Sequence, residues 1–231
     1  MKNSIWLSLL FLQVYAICPA QIPVSLEPMH HKVLENGHVR LLDVHIAAGD
    51  TTRFHIHSTP SIFLVLTDAK TGAEIVSEED RTTNPIKHYG NMWFEGFYFK
   101  PRIHRVYNCD THEFRVMDIE LTNNNFIEID SAIQQQAFSL VFEEIQVRAY
   151  RLKLLPNAMV SLEPRKADVI LILLSDSVLN TFVNKTPIGA TRANEKSLRR
   201  KGDFQYINSG NALRIENGGM STAEFAFFEL K

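Results

Sequence analysis

The feature that most constrains the fold of this chain is an internal repeat of its strand pattern, with a period of about 108 residues. Four short segments recur in the same order at nearly one offset. The matched pairs are residues 35–40 with 143–148, 48–50 with 156–158, 62–68 with 170–176, and 104–108 with 213–217. A period of this length is too long for a solenoid repeat and suits two tandem domains.

Short β-strand signals fill both halves of the chain. Runs rich in β-branched and aromatic residues lie at 39–46, 54–57, 62–66, 93–99, 114–121, 147–155, 169–174 and 224–230. Many short strands at this spacing, separated by turn-forming residues, predict an all-β sandwich or barrel. The one helix candidate, residues 131–138, falls between the two halves, and we expect it to belong to a connector.

Residues 1–20 have the pattern of a secretory signal peptide. Lys2 is basic, residues 5–17 form an apolar run, and Ala20 offers a small residue at the expected cleavage point. Such a short run is typical of a signal peptide rather than a membrane span, and no later segment is long and apolar enough to cross a bilayer. We therefore expect export to the periplasm or the extracellular space. Acylation of Cys18 is the alternative, but Ile17 is bulkier than a lipoprotein signal normally allows.

The charge and the cysteine content argue against two further classes, non-specific nucleic-acid binders and proteins held by intrachain disulfides. The formal net charge is −2 at pH 7, which argues against non-specific binding of nucleic acid. After cleavage, Cys109 would be the only cysteine, so no intrachain disulfide would form. We expect Cys109 to be an inert, packed thiol.

Three histidines are spaced like metal ligands carried on β-strands. His55 and His57 are separated by one residue, and alternate residues of a strand point to the same face. They can therefore bind one ion from one strand while His104 closes the site from another. Neutral imidazoles suit divalent first-row ions such as Fe, Zn, Ni or Mn. The alternative is that these are ordinary interior histidines, hydrogen-bonded to their neighbours.

The residues around the first pair form a longer motif. Gly49 is followed by five residues and then by His55 and His57. This pattern resembles the first motif of the cupin superfamily, in which a glutamate follows the histidine pair after three or four residues. Here Ser61 and Ile62 occupy the two positions where that glutamate is allowed, so the motif lacks its carboxylate.

The residues around the third histidine resemble the second cupin motif. Gly96, Pro101, His104 and Asn108 follow its order, although the first spacer is one residue short and Ile103 stands where glycine is usual. The resemblance covers roughly residues 33–121, with a weaker echo over 141–231. It implies two tandem cupin jelly-roll β-barrels, with His55, His57 and His104 converging on one ion inside the first.

Together, the repeat and the resemblance predict the domain organisation. An N-terminal barrel would span residues 29–121, a connector 122–138, and a C-terminal barrel 139–231. Glu163, Arg165 and Leu213 match the three histidines by sequence offset and cannot form the same site, so the resemblance implies a degenerate second barrel. Barrels of this superfamily often pair through their sheets, which makes a homodimer an option.

Other polar residues near the motifs have structural and functional interpretations. Tyr98 and Arg102 are interpreted as a barrel aromatic and a rim charge, with orientation of a substrate carboxylate as the alternative. Glu95 is a distant carboxylate candidate, and His45 an additional ligand candidate. Surface positions are predicted for His30, His31, His88 and His112.

Three functions remain open on this basis. The first is a metal-dependent oxygenase or isomerase that acts on a small anionic or oxygen-rich molecule. The second is a non-catalytic barrel that binds a sugar or a carboxylic acid without metal. The third is a structural bicupin without metal. One fold supports many chemistries, so the sequence does not specify the substrate.

Overall fold

A computed structural model describes residues 21–76, 86–123, 125, 127–184 and 194–231. The first half contains nine strands: β1 Ile22–Pro23, β2 His30–Glu35, β3 Val39–Ile46, β4 His55–His57, β5 Ser61–Val65, β6 Thr71–Ile75, β7 Met92–Glu95, β8 Arg102–Asn108 and β9 Phe114–Leu121. The second half contains nine more: β10 Phe138–Glu143, β11 Val147–Leu154, β12 Met159–Leu162, β13 Asp168–Leu173, β14 Leu179–Asn184, β15 Asn194–Leu198, β16 Phe204–Ile207, β17 Ala212–Asn217 and β18 Ala223–Leu230.

Each half pairs its strands into two sheets: the five-stranded sheets match in order, and the four-stranded sheets match in three strands but carry the fourth at opposite edges. The five-stranded sheets have the orders β2-β3-β9-β5-β7 and β10-β11-β18-β13-β16. The four-stranded sheets have the orders β1-β4-β8-β6 and β12-β17-β14-β15. Apart from the short parallel pair β1–β4, the strands pair antiparallel. This arrangement agrees with the predicted all-β architecture of two tandem barrels, while the domain limits stay predictions.

Both barrels use the same polar interactions at equivalent positions. The side-chain amide of Asn108 donates to backbone carbonyls of neighbouring turns, and that of Asn217 does the same in the second half. Arg40 donates to Glu120 as Arg148 donates to Glu229. The sequence repeat therefore reflects repeated tertiary contacts as well as strand composition.

The described residues form three apolar cores. One lies inside the first barrel and one inside the second. The third lies between the two five-stranded sheets and joins residues such as Leu41 and Ile119 to Ile172 and Phe228. Because successive strand residues face opposite sides, Leu41 enters the shared core while Leu42 enters the first barrel. A strand that is buried on both faces consists of a continuous run of apolar residues, and β13 has this pattern.

Several sequence-based expectations differ from the structure. Residues 131–138 form no helix, and within the described residues the only helical segment is the 3₁₀ turn Val24–Leu26. Cys109 is exposed rather than packed, because it lies in the turn after β8. The predicted strand over 93–99 ends at Glu95, since Phe97 adopts a left-handed backbone conformation with φ of 50°. The predicted signal peptide lies outside the described residues.

Candidate metal centre

Strands β4 and β8 bring the three predicted histidines together inside the first barrel. His55 lies directly opposite His104 in the antiparallel register, and His57 is two residues further along β4 on the same face. The three ring centroids lie 4.7 to 5.0 Å apart. One nitrogen from each ring can be chosen so that all lie within 4.8 Å of one another. The predicted histidines thus converge on one point that could hold a metal ion.

Hydrogen bonding leaves lone pairs available in this cluster. The Nδ1 atom of His55 lies 2.8 Å from the carbonyl oxygen of Arg53, which can only accept, so Nδ1 carries the hydrogen of the neutral ring. The Nε2 atom of His55 is then a bare acceptor, and it is buried without a hydrogen-bond partner. The Nε2 atom of His104 is also buried without a partner. Buried nitrogens of this kind fit metal ligands whose other ring nitrogen is fixed by the protein.

Burial keeps these rings neutral near physiological pH. Burial, together with the neighbouring imidazoles, lowers the pKa of His55 to about 4 and that of His104 to about 2. The pKa of His57 also falls well below its usual value, first through burial and then through the other two rings. Because a metal binds the unprotonated imidazole, no proton needs to leave these ligands at pH 7.

The two positions of the missing glutamate provide no ligand. Ser61 is buried on β5, and its hydroxyl donates to the carbonyl of Thr59 at 3.0 Å. Ile62 faces the shared core between the barrels. The histidine cluster therefore lacks a carboxylate from this segment, as the motif comparison predicted.

Asp118 brings a carboxylate to the site from another strand, which the sequence analysis missed. It lies on β9, lines the same cavity and is 1% exposed. Its Oδ2 atom is 3.6 Å from Nδ1 of His57, and neither carboxylate oxygen has a hydrogen-bond partner. Burial, followed by the nearby charge of Glu120, raises the pKa of Asp118 well above its usual value. The sequence signal that could have indicated Asp118 is an acidic residue between the apolar Met117 and Ile119 of a predicted strand.

The histidines open into a cavity of about 160 Å³. Aromatic rings shape one side: Phe63 meets the edge of His57 at 5.6 Å, and Phe97 stacks on His57 at 5.4 Å. Lys87, Glu95 and Arg102 also line the cavity. The volume suits a small molecule or several waters.

The polar residues near the second motif have defined partners. Arg102 and Glu95 form a two-point ion pair at 2.6 and 2.7 Å, so Glu95 is engaged by a guanidinium rather than by the histidine cluster. The hydroxyl of Tyr98 donates to Gln146 of the second barrel at 2.6 Å. The structural interpretation of Tyr98 agrees with this contact, whereas Arg102 faces the cavity.

One prediction about the other histidines was wrong, and one candidate ligand does not join the cluster. His30 is buried rather than on the surface, because Glu27 holds its Nδ1 at 2.7 Å and its ring meets His55 at 4.9 Å. His45 is no additional ligand, since it is half-buried and its ring nitrogens approach Asp43 and Glu113. The side chains of His88 and His112 are exposed as expected.

The second barrel places different residues at the equivalent strand positions. Leu213 matches His104, but its strand partner is Leu162, so the register pairs two leucines where the first barrel pairs two histidines. This corrects the equivalence drawn from sequence offset. Glu163 is exposed, and Arg165 forms an ion pair with the buried Glu229. Both leucines belong to the apolar core of the second barrel.

Among the residues that the structure describes, no helix has the length and apolar character needed to cross a membrane.

Comparison with known proteins assigns the fold. No protein-family model and no curated protein matches the sequence. AerE from Microcystis aeruginosa is similar in structure, with 13% identity, a TM-score of 0.61 and coverage of 89% of this chain and 98% of that chain. A cupin 2 conserved barrel domain protein from Leptotrichia buccalis gives 7% identity, a TM-score of 0.52 and 87% coverage of both chains.

A salicylate 1,2-dioxygenase from Pseudaminobacter salicylatoxidans is also similar, with 8% identity and a TM-score of 0.58. The match covers 84% of this chain and 71% of that chain. These likenesses show the cupin fold and confirm the predicted class of tandem cupin barrels.

Proposed function

We propose that this chain is an exported two-cupin protein whose first barrel binds a divalent first-row transition metal ion, such as Fe, Zn, Ni or Mn, through His55, His57 and His104. We further propose that it is an oxygenase or isomerase of a small anionic molecule. The observation that carries the proposal is the pair of buried Nε2 atoms, on His55 and His104, that have no hydrogen-bond partner. Leaving such acceptors unpaired costs about 1–3 kcal/mol each, which a bound cation would offset.

The donor set favours a reactive rather than a structural ion. Structural zinc sites normally have four protein ligands, whereas three protein ligands leave positions open for substrate or water. When bound, such an ion supplies Lewis acidity or a site for oxygen chemistry. The aromatic rings of Phe63 and Phe97 contact His57 and restrict its orientation.

The cavity also offers a cation to an anionic ligand. Lys87 lines it and lies 4.7 Å above the ring of Trp93, whereas Arg102 is already paired with Glu95. Salicylate, named for one of the similar structures, is a carboxylate, which supports the choice of a small organic acid for the first assays. We expect Lys87→Met to weaken binding of a carboxylate ligand without changing the metal content, and isothermal titration would measure this.

Elemental analysis tests the metal site directly. Mature protein purified without an affinity tag should contain about one first-row metal ion per chain, and the double variant His55→Ala/His57→Ala should lose it. The matched control is His31→Ala/His45→Ala, which removes a second histidine pair whose rings are 5.6 Å apart. Absence of metal from the wild type after incubation with iron, zinc, nickel and manganese would refute the proposal.

A second candidate function is binding of a sugar or carboxylic acid without metal. The missing carboxylate at Ser61 and the paired leucines of the second barrel favour it. A ligand that raises the melting temperature equally with and without chelator would support this function. Loss of the effect on chelation would support the metal-dependent one.

Export and oligomeric state complete the proposal. Export predicts a mature chain that begins at Gln21, which intact-mass measurement on secreted or periplasmic protein would detect. The five-stranded sheets already cover each other within one chain, so a homodimer would use other surfaces. Light scattering coupled to size exclusion distinguishes a dimer from a monomer.

A further inference from the structure

We infer that Asp118 positions His57 for metal binding and replaces, from a neighbouring strand, the carboxylate that the first motif lacks. This inference rests on the proposed metal function. Asp118 would act through His57 and would not itself contact the ion. Its role is therefore to fix one ligand and to set the charge of the site.

The strand order explains how a carboxylate reaches the cluster. Strand β5 carries Ser61, the position of the missing glutamate, and pairs directly with β9. In that register Phe63 lies opposite Asp118, and Ser61 lies opposite Glu120. Because Phe63 also touches His57, the opposite residue on β9 reaches the same ring.

The geometry indicates an orienting residue rather than a fourth ligand. Oδ2 of Asp118 is 3.6 Å from Nδ1 of His57, but Asp118 does not belong to the group of ligand atoms that are mutually within 4.8 Å. The two nitrogens of an imidazole point in different directions. Nδ1 of His57 is itself buried without a hydrogen-bond partner, because Asp118 lies just beyond hydrogen-bond distance. A hydrogen on Nδ1 that closed this gap would leave the Nε2 lone pair for the ion, the usual arrangement of a metal-bound histidine and its outer carboxylate.

The surroundings of Asp118 also point to a missing positive charge. It is almost fully buried, and its two oxygens have no hydrogen-bond partner. The nearby guanidinium groups are engaged elsewhere, since Arg40 donates to Glu120 and Arg102 donates to Glu95. A buried carboxylate is costly unless it is paired, and a divalent ion on the adjacent histidines supplies the complementary charge.

Zinc titration of matched variants tests whether Asp118 positions His57. Asp118→Asn keeps an acceptor for the Nδ1 hydrogen but removes the charge, whereas Asp118→Leu removes both. We expect zinc affinity, measured by calorimetry on chelator-treated protein, to fall 10- to 100-fold in Asp118→Asn and further in Asp118→Leu. Glu229→Gln is the control: it alters the equivalent buried carboxylate of the second barrel, which contacts Arg148 and not the histidines. Its zinc affinity should equal that of the wild type.

A second measurement follows the tautomer of His57 in zinc-loaded protein, because the bound cation favours the ionised, accepting form of Asp118. Nitrogen NMR of the imidazoles should show hydrogen on Nδ1 of His57 in the wild type, and a shift of that hydrogen towards Nε2 in Asp118→Leu. Loss of packing alone would not produce this change. The wild-type spectrum keeps the inference testable if either Asp118 variant fails to fold, since hydrogen on Nε2 would overturn it.

The outcomes separate this inference from the proposed function. Zinc binding by the wild type with unchanged affinity in Asp118→Asn would overturn the role of Asp118 and leave the metal site standing. Absence of zinc binding by the wild type would overturn the metal site and the role of Asp118 with it. A selective loss of affinity in the Asp118 variants, with Glu229→Gln unaffected, would support both.

Discussion

Replacing His104 with leucine should make the metal-free protein more stable while abolishing its response to metal. The second barrel already uses this solution, because Leu213 lies opposite Leu162 where His104 lies opposite His55. Leucine is close to histidine in size, and the cavity beside it is lined by apolar residues such as Val106 and Val116. The substitution therefore removes a buried polar atom without leaving a large void.

The magnitude follows from the unpaired nitrogen. Nε2 of His104 is buried without a partner, and such a group costs about 1–3 kcal/mol. His104→Leu should thus raise the free energy of unfolding by about 2 kcal/mol in chelator-treated protein. For a chain of this size, that gain corresponds to an increase of about 4–8 °C in melting temperature.

Excess metal should make the wild type more stable than His104→Leu. A ligand at a concentration 100 times its Kd stabilises the native state by about 2.7 kcal/mol, and only the wild type would benefit. The assay is urea unfolding followed by circular dichroism at pH 7.5, with chelator or with excess zinc. The reciprocal substitution Leu213→His is the matched control and should destabilise the protein under both conditions, because it buries an imidazole in an apolar core.

A clear result would refute this reasoning. If His104→Leu lowered the stability of chelator-treated protein and kept the stabilisation by zinc, His104 would be a packed core residue with no ligand role.

Further predictions concern pH, ion pairing and turns. The unfolded chain protonates His55 below about pH 6.5, but the folded chain does so only near a pKa of about 4. As the pH falls from 6.5 to 4, His55 should therefore lower the free energy of unfolding of the metal-free protein by about 1.4 kcal/mol per pH unit. Urea titrations from pH 7 to 4.5 should show a shallower slope in His55→Leu, and an identical slope would contradict the assignment. Arg40→Met should cost about 3 kcal/mol, because it leaves Glu120 buried without its cation, and chemical denaturation measures the loss. Asn108→Ala and Asn217→Ala should each cost about 2 kcal/mol by the same assay, since their amides donate to equivalent turn carbonyls; a large effect of only one would argue against equivalent roles.

The sequence alone determined the architecture and the histidine set. Strand periodicity and turn residues are local signals, so the strands over 39–46 and 114–121 were predicted at their observed limits. The repeat predicted two similar units, in agreement with the matching orders of the five-stranded sheets. His55 and His57 could be assigned to one face because alternation along a strand is a property of the backbone itself.

The tertiary structure decided what surrounds those histidines. Asp118 reaches His57 only because β9 pairs with β5, and no local pattern specifies which strands are neighbours. His30 enters the site because Glu27, near the end of the short 3₁₀ turn, holds its ring against His55. Register likewise replaced Glu163 with Leu162 as the partner of Leu213, since strand pairing and sequence offset need not agree when turns differ in length. Composition and periodicity describe each strand separately, whereas the charge and hydrogen bonding of a site depend on contacts between strands.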